Sequence, residues 1–160
     1  MEYADYLTGV CARYISDEDE VKDVLQDSFI KIFTQIHQFE YRGKDSLKAW
    51  ITKVVINEAL MYLRQNKTFL VPIQESDIVD CLDEEPEMEN LGADILFSFI
   101  QKLPPGYRAV FNLFVIEEKS HKEIAEILQI QPATSASQFL RARKLLAEMI
   151  REYKHQMENR

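Results

Sequence analysis

The sequence predicts an all-α protein of two small helical domains, residues 1–67 and 94–160, joined by an acidic linker over 68–93. Three observations predict it. Apolar residues recur at spacings of three and four through both end portions. The stretch between them has no such period and contains Pro72, Pro86 and the run DCLDEEPEMEN. Charge is also segregated: the net −8 hides nine acids against three bases over residues 1–40, and six bases against two acids over 41–67. Nine acids and no base follow over 68–100, then ten bases against seven acids over 101–160. Two basic blocks thus flank an acidic one, and phosphate binding depends on local charge rather than on the total.

In the first domain, Tyr3, Leu7, Val10, Cys11 and Tyr14 mark one helix. Ser16 and Asp19 stand at capping-box spacing before the next, where acids favour the positive helix start. Val21, Val24, Leu25, Ser28, Phe29, Ile32, Phe33 and Ile36 form its inward stripe. Asp23, Gln26, Asp27, Ile30 and Lys31 lie off that stripe, so an acidic face with one exposed isoleucine looks outward. The stretch YRGKD, residues 41–45, breaks the pattern as a loop. Ser46 then caps a third helix whose buried face is marked by Leu47, Trp50, Ile51, Val54 and Met61.

Helix resumes near Asp94 with Ile95, Leu96, Phe99 and Ile100. Pro104 and Pro105 end it and set the first turn of the next, which runs through Val110, Phe111, Phe114 and Val115. Ser120 caps a short helix with Ile124, Ala125, Ile127 and Leu128 inward, and Thr134 caps the last long one. The stretch SHKEIAEILQIQPATSASQFLRARKLL reads as a bent helix pair of the kind that lays its second member in a DNA groove. Domains of about sixty-five residues bury a small share of their surface and are marginally stable alone, so dependence on a partner is expected.

Several classes are excluded. Cys11 and Cys81 are too few and too far apart for a disulfide framework or a zinc site. His37, His121 and His155 form no ligand cluster, so no metal and no cofactor are expected. No nucleophile elbow, phosphate-binding glycine loop or pair of catalytic carboxylates appears, which argues against an enzyme and a small-molecule substrate. No apolar run approaches the roughly 18–20 residues that span a bilayer, and no signal peptide opens the chain. A cytoplasmic protein is expected.

Four segments carry a resemblance to a known family: DEDEVKDVLQDSFIKIF, YRGKDSLKAWITKVVINEALMYLR, LPPGYRAVFNLFVIEEKSHKEIAEIL and TSASQFLRARKLL. In this order, parted by an acidic linker, they resemble the extracytoplasmic-function (ECF, group IV) sigma factors of bacterial RNA polymerase. The likeness spans nearly the whole chain, beginning inside the family's usual first helix. It implies a region 2 bundle over 1–67 and a region 4 helix-turn-helix over 94–160. It also implies core RNA polymerase and promoter DNA as partners, and an inhibitory anti-sigma factor.

The resemblance also assigns roles. Asp23, Gln26, Asp27 and Ile30 look like the surface that docks on core polymerase. The basic loop and helix, with Arg42, Lys44, Ser46, Lys48, Lys53, Asn57 and Arg64, resemble the part that melts and reads the minus-ten element. Trp50 is expected in the core. Thr134, Ser135, Ser137, Gln138, Arg141, Arg143 and Lys144 resemble the part that reads the minus-thirty-five element.

The chain departs from the family pattern at Glu118, Gln129 and Ala133, where turn glycines are common. It departs again at Ala136 and Gln138, often basic in the family, which implies fewer phosphate contacts and weaker salt dependence for this domain. Two other functions compete: a helix-turn-helix regulator with an amino-terminal sensing domain, and a sigma-like decoy that binds protein partners without promoter activity.

Overall fold

The computed structural model describes residues 2–66 and 91–160, which fall into two compact helical units. Most of the acidic stretch expected as a tether lies outside the described residues. Among the described residues there is no strand.

The first unit packs three helices against one another: α1 (Glu2–Ala12), α2 (Glu18–Gln35) and α3 (Ser46–Asn66), with a 3-10 turn at Ile36–Gln38. Leu7, Val10, Cys11 and Tyr14 of the first segment are buried, while Tyr3 is exposed. Asp17, not Ser16, caps α2; its Oδ1 accepts from the backbone N–H groups of Asp19 and Glu20, both at 3.0 Å. Asp17 has the extended backbone that a cap requires, and Ser16 falls one position outside. The inward stripe of α2 closes at Ile32: Val21, Val24, Leu25, Ser28 and Ile32 are buried. A further step of about 100° around the helix carries Phe33 outward, to 76% exposure, and Ile36 is exposed as well.

Helix α3 packs on both α1 and α2, so its buried face is broad. Ile51, Val55, Ile56, Ala59, Leu60 and Leu63 fill it, whereas Leu47, Trp50, Val54 and Met61 are only half-buried. Ser46 is the first helical residue rather than the cap. Its hydroxyl turns back to accept from the Arg42 N–H at 3.2 Å, pinning the loop. Within this core, Lys31 of α2 forms an ion pair with Glu58 of α3, a carboxylate only 6% exposed.

The second unit contains α4 (Ala93–Lys102), α5 (Pro105–Val115), α6 (His121–Leu128) and α7 (Pro132–Glu158). Phe99, Ile100, Leu103, Tyr107, Phe111, Ala142, Leu146 and Ile150 form its core. At the α4–α5 corner the buried Arg108 donates from Nε to Ile100 O at 3.3 Å and from Nη2 to Gln101 O and Leu103 O, both at 2.7 Å. The guanidinium thus ties down carbonyls at the end of α4, one of which, Ile100 O, also accepts from the Leu103 N–H at 3.1 Å.

Ser120 and Glu123 form a reciprocal capping box at the start of α6. Gln129 ends α6 in the left-handed region at φ 57°, and Ile130 N–H closes the turn on Ala125 O at 3.0 Å. Glu118 also has positive φ, whereas Ala133 is helical. Helix α7 begins at Pro132, whose ring presets the helical φ, with Gln131 at the cap position. Thr134 therefore lies inside the first turn instead of capping it.

Candidate functional site

The outward face of α2 carries Asp23, Gln26, Asp27 and Ile30, all exposed, with Ile30 at 61%. Phe33 stands one turn beyond Ile30 on the same face, a residue that sequence reasoning had placed in the core. The signal was available: Phe33 follows Ile30 by three positions, whereas the inward stripe was already complete at Ile32. The face is therefore two large apolar groups bordered by carboxylates and an amide. An apolar centre with a polar rim suits a protein partner.

The basic set of the first unit divides. Arg42 and Lys44 are exposed on the loop, and Arg42 is held by Glu40 Oε2 at 3.1 Å. Ser46, Lys53, Asn57 and Arg64, spaced by seven, four and seven, fall on one face of α3; Lys53 and Asn57 are exposed there and the other two half-buried. Lys48 does not join them. It projects from the other side of α3, with its ammonium 4.3 Å from the centre of the Tyr6 ring on α1. Packing between α1 and α3 thus takes Lys48 away from the surface expected to read DNA.

Beside the loop, Gln38, Phe39, Glu40, Arg42, Ser46 and Trp50 line an open pocket of about 420 Å³. The Phe39 and Trp50 rings lie 5.5 Å apart, centre to centre. Trp50, expected in the core, is half-buried and forms one wall. The pocket joins aromatic faces to a guanidinium, a combination able to stack a base and hold a phosphate.

In the second unit the expected reading helix is confirmed as a helix, but two of its residues face the wrong way. Ser135 is fully buried and lies in a hydrogen bond with His121 Nδ1 at 2.9 Å. Gln138 is 1% exposed, and its Oε1 has no hydrogen-bond partner. The interior of the unit claims both positions, Ser135 against α6, so both side chains point away from a DNA-facing surface. The His121 ring also stacks on Phe114 at 4.7 Å, and burial lowers its pKa from the ordinary value. Ser120 N–H holds the Glu123 carboxyl below its usual range.

Thr134, Ser137, Arg141, Arg143 and Lys144 are each half-buried. Ser137 Oγ donates to Ala133 O at 2.8 Å. Arg141 Nη1 donates to the Tyr107 hydroxyl at 3.2 Å, and the Arg143 guanidinium lies 5.9 Å from the Phe139 ring centre. Cys11 is buried, which pushes its thiol up to about 11, and no reactive thiolate forms there. Among the described residues no three His, Cys, Asp or Glu side chains gather as a metal site. No described helix is long and apolar enough to cross a membrane.

Comparison with known proteins places this geometry. The model of Sigma-70 region 2 matches residues 1–69, and that of Sigma-70, region 4 matches residues 93–146. The ECF RNA polymerase sigma-E factor of Haemophilus influenzae is 31% identical over 92% of this chain and 83% of its own length. The ECF RNA polymerase sigma factor SigM of Bacillus subtilis is 27% identical over 90% of each. Among solved structures, the sigma factor RpoE of Bartonella quintana, in complex with the anti-sigma factor NepR, aligns with a TM-score of 0.53. That match is 21% identical and covers 92% of this chain and 91% of that one, a likeness of fold. With both regions present in order and a relative above 30% identity across the chain, this protein belongs to the ECF RNA polymerase sigma factors, which direct transcription initiation.

Proposed function

We propose that the chain is a group IV sigma factor of the bacterial cytoplasm, performing no bond chemistry itself, whose surfaces divide the work as follows. The α2 face of Asp23, Gln26, Asp27, Ile30 and Phe33 docks on core polymerase. The loop and α3 face, with Arg42, Lys44, Lys53, Asn57 and Arg64, hold the melted minus-ten strand, and the Phe39–Trp50 pocket offers a place for an unstacked base. The start of α7 enters the major groove at the minus-thirty-five element, where Arg141, Arg143 and Lys144 flank it with positive charge.

The observation that carries this reading is the division of the first unit's surface. Exposed carboxylates surround apolar groups on α2, while exposed cations line the loop and α3. A plain helical bundle has no need of either. Exposed Phe33 and Ile36 also suit an anti-sigma factor that would cover the docking face until it is released.

Run-off transcription tests it, with purified bacterial core polymerase, this chain and a pool of upstream fragments. Start sites that appear only with the chain added, with shared sequences near minus ten and minus thirty-five, are the expected result. Stable binding to core without any start site would favour the decoy. Failure to bind core would remove the docking face.

A further inference from the structure

Among the described residues of the first unit, Glu58 is the one charged side chain that is buried, and it accepts a hydrogen bond from Lys31 of α2. Stability alone gives little reason for such a pair. Taking two charges out of water offsets most of their attraction, and apolar side chains of like volume serve a core at least as well. What the pair supplies is a defined geometry. Aliphatic contacts between α2 and α3 are non-directional and tolerate rotation, whereas a charge-assisted hydrogen bond does not.

Each end of the pair lies beside one of the two proposed faces. On α2, Lys31 follows Asp27 by four positions and Ile30 by one, at the edge of the docking face, and its side chain is 42% exposed. On α3, Glu58 directly follows Asn57 and comes five positions after Lys53, both of them exposed. Steps of about 100° per residue put Asn57 about 100° and Lys53 about 140° around the helix from Glu58. Turning Glu58 toward α2 therefore sets where those two side chains point.

We infer that Lys31 and Glu58 are positioning residues for the minus-ten step. With α2 held on core polymerase, the pair fixes the rotation of α3 so that Lys53 and Asn57 meet the melted strand. The inference rests on the reading of α2 as the docking helix and of α3 as the minus-ten helix. Neither member of the pair touches DNA; both act through Lys53 and Asn57.

The test uses holoenzyme, the full chain with core polymerase, and a single-stranded oligonucleotide carrying the minus-ten element of a promoter found by run-off transcription. Lys31→Met/Glu58→Met keeps the net charge and much of the bulk while removing the directional contact. Its core affinity should stay within about twofold of the parent's, and its Trp50 unfolding midpoint in urea should equal or exceed the parent's. Oligonucleotide binding should weaken about fivefold to tenfold, the effect of one lost hydrogen bond. Asn57→Ala should cost a similar factor in the parent chain and under about twofold in the double variant, where Asn57 is already displaced. Oligonucleotide binding like the parent's overturns the inference. An Asn57→Ala that costs nothing in the parent, or as much in the double variant, does so too. A midpoint well below the parent's also overturns it, because the pair would then serve stability. Equal binding of the parent holoenzyme to a scrambled oligonucleotide removes the minus-ten role of α3 itself, and this inference with it.

Discussion

Lys31 and Glu58 form the ion pair that joins α2 to α3, and each has the opposite sign to the surface its own helix presents. The lysine is withdrawn from an acidic face, and the glutamate from a basic one. The pair thus sharpens the separation of charge between the acidic face proposed for docking and the basic face proposed for DNA. Its two members are unequal: the Lys31 side chain is 42% exposed, that of Glu58 only 6%.

That inequality predicts an asymmetric response. Lys31→Met leaves a buried carboxylate without its partner and should cost about 2 kcal/mol, less than the cost for a fully buried pair. Glu58→Gln lets the lysine turn to water and should cost under about 1 kcal/mol. Trp50 is the single tryptophan, so its fluorescence during urea unfolding of the full chain reports this unit alone. Equal losses would show that Lys31 does not compensate Glu58.

Phe33 projects into solvent, so replacing it should not disturb folding. Phe33→Ser should weaken core-polymerase binding at least tenfold, the effect of losing an apolar anchor at an interface centre. Asp27→Arg should abolish it. Both variants should keep the Trp50 unfolding midpoint. Normal binding by Phe33→Ser in a pull-down titration would take that side chain off the docking face.

On α7, Lys144→Ala and Gln138→Met should part in opposite directions. The first should reduce the salt slope of minus-thirty-five binding by about 0.9, the value of one phosphate contact, across all sequences. The second removes a buried carbonyl that lacks a partner and should raise stability by up to about 1 kcal/mol, with the salt slope unchanged. A salt slope altered by Gln138→Met would mean that its side chain reaches DNA after all.

His121 predicts a pH response in the second unit. Burial depresses its folded pKa, so on acidification the unfolded chain takes up the proton first, near pH 6.5. Stability is complete above that value and is lost as pH falls through the lower folded value. His121→Gln retains a hydrogen-bonding group for Ser135 but does not titrate. Thermal melts from about pH 8 to about pH 5 should therefore show the parent chain losing stability faster than the variant. Parallel losses would place the responsible group elsewhere.

The helices were legible because their apolar period is strong, and the corner at Pro104–Pro105 and the Ser120 cap follow from local chemistry. The candidate site was legible less evenly. On α2 the four residues expected to dock are exposed, but Phe33 is too, because an apolar letter at stripe spacing does not by itself bury a side chain. On α3 the packing of two helices widens the buried face to Val55, Ile56, Ala59, Leu60 and Leu63, a width that one period does not convey. Ser135 and Gln138 are polar letters that tertiary packing turns inward, and Lys48 is a basic letter held by an aromatic ring on another helix. Residue type names what a side chain can contact; only the approach of a second helix determines which contact it makes.

The buried guanidinium of Arg108 bears on how such a protein searches a genome. One of ten positive charges in residues 101–160 is spent on carbonyls inside the fold, so the exposed balance is smaller than the residue count. Attraction to random duplex is reduced accordingly, because non-specific affinity scales with the phosphates neutralised. A chromosome offers about a million or more decoy sites, and a strongly cationic chain would be sequestered by them. Each cation kept inside the fold lessens that capture and leaves more of the search to the polymerase that a sigma factor joins.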